Sequence, residues 1–64
     1  MDRYEVIFWI PTAEDDDIET VLCTTREEAF SLLTSLCNAN LQRVGFVFDI
    51  STNKRIMSIG VALD

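Results

Sequence analysis

Apolar and polar residues alternate along this chain with two different periods, and the change between them marks out the elements. Residues 3–10, Arg-Tyr-Glu-Val-Ile-Phe-Trp-Ile, are rich in aromatic and β-branched types and predict a strand. A period of two puts Tyr4, Val6, Phe8 and Ile10 on one face and Arg3, Glu5, Ile7 and Trp9 on the other. Pro11 has no N–H for a sheet ladder and ends the strand. After a loop over 12–17, residues 18–23, Ile-Glu-Thr-Val-Leu-Cys, predict a second strand and a long-looped hairpin. Its inward face is undecided between Ile18, Thr20 and Leu22 on one side and Val21 and Cys23 on the other.

From Thr25 the period becomes helical. Thr25-Arg26-Glu27-Glu28 is a capping box, in which the threonine oxygen serves a free N–H of the first turn and the glutamate reaches back. Two acids in that turn suit the positive end of the helix dipole. Ala29, Leu32, Leu33 and Leu36 follow at i, i+3, i+4 and i+7, with Cys37 extending the stripe and Phe30 at its edge as a core margin. Asn38-Ala39-Asn40 predicts a left-handed stop.

Residues 41–50 and 55–63 return to strand character, joined through Ser51-Thr52-Asn53-Lys54. A turn centred on Thr52-Asn53 sets Phe48 opposite Met57, Phe46 opposite Ile59 and Val44 opposite Val61 on one face. The other face then pairs Asp49 with Ile56, Val47 with Ser58, Gly45 with Gly60 and Arg43 with Ala62. The expected fold is α+β: one domain over 1–64 in the order β-β-α-β-β, a four-stranded antiparallel sheet with one helix packed on one face. Strand order is not legible at this level. Ile7, Trp9, Val47 and Ile56 are expected on the uncovered face, where a contiguous apolar patch would make an interface, including a face-to-face homodimer. The bland alternative for Trp9 is that it lies over the notch between Gly45 and Gly60.

Composition sharpens this picture chiefly through charge. Eleven acidic residues against five basic give a formal charge of −6. Glu14-Asp15-Asp16-Asp17-Ile18-Glu19 alone holds five carboxylates, which repel one another and stay in water. A hydrophobic fraction of 48% is nonetheless that of a folded chain. At 64 residues the core is small, because a chain of this size buries roughly 60% of its unfolded surface. The start carries no basic region followed by a long apolar run, and Val6 to Pro11 is far short of a membrane helix, so a soluble cytoplasmic protein is expected. Cys23 and Cys37 are separated by about 20 Å if the intervening chain is helical. A disulfide needs Cα atoms within about 7 Å, so both are expected as free thiols.

The chemistry is defined by what is missing. There is no histidine, no glycine-rich phosphate loop and no Gly-x-Ser-x-Gly elbow, and neither cysteine has a histidine to activate it. A non-enzyme without cofactor or resident metal is expected. The acid run could draw a hard cation such as calcium, but it lacks the Asp-x-Asp-x-Asp-Gly spacing and distal glutamate of an EF-hand loop. Basic residues are scattered, with only Lys54-Arg55 adjacent, which argues against direct nucleic-acid binding. What remains is a protein partner with a basic surface, met by Glu14, Asp15, Asp16, Asp17 and Glu19 and extended by Glu27 and Glu28. Carboxylates on a small scaffold compete with phosphate for Lys and Arg. The concrete form of this expectation is an inhibitor of a nucleic-acid-handling enzyme, of anti-CRISPR or anti-restriction type; the alternative is a homodimeric structural or regulatory module.

Overall fold

A computed structural model describes residues 2–11, 18–38 and 43–61 of the chain. Four strands and one helix follow in the order β1 (Tyr4–Trp9), β2 (Glu19–Cys23), α1 (Arg26–Leu36), β3 (Val44–Asp49) and β4 (Lys54–Ile59). The strands form one antiparallel sheet in the order β2-β1-β3-β4, giving a small α+β domain with the helix on one face. β1 and β3 are the central pair, and β2 and β4 are the edges.

The helix begins as its sequence dictates. Thr25 is extended and its Oγ1 accepts the Glu28 N–H at 3.2 Å. Ala29 and Leu33 are fully buried, Leu32 and Leu36 pack against the core from its margin, and Cys37 closes the stripe. Phe30 is half-buried and packs on the same cluster. The helix ends after Leu36. Cys37 caps it at φ −107°, its N–H bonding to the Leu33 carbonyl at 2.8 Å. Asn38 donates its side-chain amide to the Ser35 carbonyl at 2.9 Å. A side chain thus satisfies a terminal carbonyl without a left-handed residue at Asn38; Ala39 and Asn40 lie outside the described residues.

Register decides which side chains the helix covers. Tyr4 pairs with Asp49, Val6 with Val47 and Phe8 with Gly45, and all six are buried. Val47 in turn pairs with Met57 and Gly45 with Ile59, both packed on the core. The helix face is therefore Tyr4, Val6 and Phe8 with Gly45, Val47 and Asp49, and the uncovered face carries Ile7 and Trp9 with Val44, Phe46 and Phe48.

This corrects the assignment of Val47 and Ile56 to the uncovered face. Val47 is fully buried, and Ile56 packs against the core. For Val47 the cause is the alternation of β3, which turns Gly45, Val47 and Asp49 to the helix side with Val6 as cross-strand neighbour; for Ile56 it lies in the β3–β4 hairpin. Lys54 pairs with Asp49, so the loop is 50–53, and the Asn53 N–H closes it on the Asp49 carbonyl at 2.8 Å. Asn53 takes φ +59°, a left-handed value that asparagine tolerates. The pairing then shifts between Val47 and Phe48, where a β-bulge at Ile56 sets two residues against one. Ile56 and Met57 both pack on the core as a result.

Gly45 sits over neither a notch nor Trp9. A Cβ at this position would collide with the Ile7 carbonyl oxygen and come within 2.9 Å of the Phe8 side chain, so close strand packing under the helix requires glycine there. Gly60 follows β4 at φ +75°, against Val44.

Leu33 is the central contact between helix and sheet. Leu33→Ala is expected to cost about 2–5 kcal/mol, while Leu22→Ala, more than half exposed on β2, stays within about 0.5 kcal/mol of the parent. Urea denaturation of the two variants measures the difference.

Candidate functional site

Of the expected acidic contact residues the structure describes three, Glu19, Glu27 and Glu28, and these fall in two places. The chain leaves β1 beyond Trp9, at Pro11, and re-enters the sheet at Glu19, opposite Phe8. Glu14, Asp15, Asp16 and Asp17 lie between, outside the described residues. Glu19 is exposed at the start of edge strand β2, next to this connection. Glu27 and Glu28 are exposed in the first turn of α1, which follows Cys23, the residue opposite Tyr4 at the other end of β1. About four residues of strand, roughly 13 Å, separate the two groups along β2. Glu19 belongs with the acid run by position, and Glu27 and Glu28 serve the helix terminus.

The uncovered face is more aromatic than the covered one. Trp9 and Phe46 meet edge to face, with ring centres 6.2 Å apart and planes at 76°. The Arg55 guanidinium lies 4.3 Å from the Phe46 ring centre, a cation–π contact on the same face. Cross-strand pairing organises the face in rows. One row reads Leu22, Glu5, Phe48 and Arg55, and the next Thr20, Ile7, Phe46 and Ser58. Trp9 and Val44 form a third. Ile7 and Trp9 were expected here; Phe46, Phe48 and Arg55 were not, because the expected sorting of β3 put the phenylalanines on the helix side.

The edges are unequally protected. β4 begins with exposed Lys54 and Arg55 and carries the bulge at Ile56, devices that discourage pairing with a further strand. β2 is exposed from Glu19 to Leu22 and pairs with β1 through all five residues. Beside it an open groove of about 440 Å³ runs to the helix, lined chiefly by Val21, Leu22, Glu28 and Leu32.

Neither thiol is placed for nucleophilic work. Cys23 and Cys37 are free, and both are buried. Burial raises the pKa of each, and Glu28 beside Cys23 raises that one further, so the thiolate is disfavoured at both. Among the described residues no three His, Cys, Asp or Glu side chains come together to hold a metal ion. No described helix is long and apolar enough to cross a membrane.

One buried polar group went unforeseen. Asp49 is 2% exposed, and Arg3 holds it through Nε at 3.3 Å and Nη2 at 3.2 Å. Its Oδ1 also accepts the Ser51 N–H at 3.0 Å and the Ser51 hydroxyl at 2.7 Å. The Ile50 N–H bonds to the Arg3 carbonyl at 2.9 Å, so backbone and side chain together fasten the segment before β1 to the β3–β4 hairpin. The hydrogen bonds from Arg3 hold the Asp49 carboxyl well below the usual carboxylate range; those from Ser51 add to this, and burial opposes it. Its surroundings are those of a structural clamp. The sequence cue was Asp-x-Ser, an Asx turn at a strand end.

No protein-family model matches this sequence, and no match was found to a curated protein or to a solved structure.

A depressed carboxyl pKa stabilises the fold above the unfolded value near 4 and loses that contribution as pH falls toward the folded value. The urea midpoint is therefore expected to fall steadily between pH 5 and pH 2. Asp49→Asn should lower the midpoint at pH 7 and flatten this acid limb, a comparison that urea titrations at five or six pH values would make.

Proposed function

We propose that this protein is a non-enzymatic protein-binding module that blocks a nucleic-acid-handling enzyme, in the manner of an anti-CRISPR or anti-restriction inhibitor. The observation that carries the proposal is the charge of −6 with its densest run, Glu14 to Asp17, between β1 and β2 in the sequence, together with Glu19 exposed at the start of β2. Carboxylates presented this way compete with phosphate for Lys and Arg in a basic groove. The partner is a protein with such a groove, the chain itself does not bind nucleic acid, and the cytoplasm is where such enzymes work. Two buried thiols with raised pKa and the lack of histidine favour binding over catalysis.

The acid run is the part to test. Replacing Asp15, Asp16 and Asp17 together by Asn should abolish capture of a basic partner that the parent retains, and that partner should be displaced by duplex DNA. The salt dependence of any remaining binding should be shallower. Equal affinity of the parent and the triple variant at low salt, measured by calorimetry on the captured protein, excludes this role for the run.

A further inference from the structure

The uncovered sheet face has a symmetry that its composition alone does not reveal. Glu5, Phe48 and Arg55 lie in one cross-strand row, with the acid on β1, the ring on β3 and the base on β4. Neighbouring strands are about 4.8 Å apart, so the two charges flank β3 at equal distances and with opposite sign. Among the described residues neither finds an ionic partner: Glu5 is half-buried with no hydrogen bond or ion pair, and Arg55 lies over the Phe46 ring. An acid and a base held one strand to either side of the same ring are placed to meet opposite charges on a surface laid over this face.

We propose that this face is covered by a second copy of the chain, the two sheets packing face to face about a two-fold axis that runs close to the direction of β3. Rotation about such an axis exchanges the β1 and β4 sides of the sheet. Glu5 of each copy then meets Arg55 of the other, giving two ion pairs at the rim of one interface. Phe46 and Phe48, on the axis, meet their own counterparts, and Trp9 falls over Gly60 of the second copy, which has no side chain to obstruct it. Sheets packed in this way lie about 10 Å apart with their strands within about 30° of alignment, which suits interlocking aromatic side chains. The arrangement is isologous, so each contact is made twice. This dimer leaves the β2 edge open and does not depend on the partner proposed above.

The test is a charge reversal read by sedimentation velocity from about 5 µM to 1 mM. The parent is expected to be a dimer over the upper part of this range. Glu5→Arg and Arg55→Glu each place like charges opposite one another and should weaken the dimer at least tenfold. The double variant Glu5→Arg/Arg55→Glu restores opposite charges in exchanged positions and should return to within about threefold of the parent. Far-UV circular dichroism and the melting temperature establish that each variant is folded. A parent that stays monomeric at 1 mM overturns the proposal and leaves the face to a different protein. A dimer that survives both single reversals but is lost in Leu22→Lys overturns it in favour of pairing through the β2 edge. A folded double variant that is no tighter than the singles overturns the proposed axis.

Discussion

One short helix has to cover a four-stranded sheet, and it can do so only where the sheet lets it come close. The covered side is accordingly built from modest side chains at its centre. Val6 and Val47 lie side by side with no exposure, Gly45 allows β3 to press against β1, and Leu33 and Ala29 come down from the helix. Close packing of this kind is sensitive to single methylene groups. The rest follows from it. Once β3 turns Gly45, Val47 and Asp49 toward the helix, the strand's period of two sends Val44, Phe46 and Phe48 the other way. The large rings on the outer face are thus a consequence of the tight inner one.

The same constraint explains what could be read from the sequence and what could not. The helix was legible because its information is local. Thr25 and the leucine stripe act over three to seven positions, and the structure has the Thr25 cap on the Glu28 N–H and the buried stripe that they imply. The four strands and their antiparallel arrangement were legible for the same reason. Register across the last hairpin was not. It depends on where a four-residue loop closes and on an extra residue at Ile56, and together these brought Ile56 onto the core, while the alternation of β3 set Val47 on the covered side. Aromatic size was a misleading guide to burial, since Phe46 and Phe48 are the bulkiest residues of β3 and face outward.

The Arg3–Asp49 clamp escaped for another reason. Its members are separated by 46 positions, and nothing near either one marks the other as its partner. Only the topology, which sets β1 beside β3, brings them together. Of the candidate site, the position of Ile7 and Trp9 was legible from the alternation in β1, and the separation of Glu27 and Glu28 from Glu19 was not. That separation needs the knowledge that β2 runs the length of β1 before the helix begins.

The strand order also governs how this fold can be reached during synthesis. β1 lies at the centre of the sheet, yet it is made before both of its neighbours. β2 can join it as a hairpin, but a two-stranded hairpin is marginal in water. The second partner, β3, is complete only at Asp49, after the helix has been made. Chain growth at about 5–20 residues per second therefore leaves the apolar side chains of β1 without their main cover for seconds. Over that interval the nascent chain presents Val6, Phe8 and Trp9 to whatever holdases attend the ribosome, and stable structure arrives late and nearly all at once, when the central pair can close.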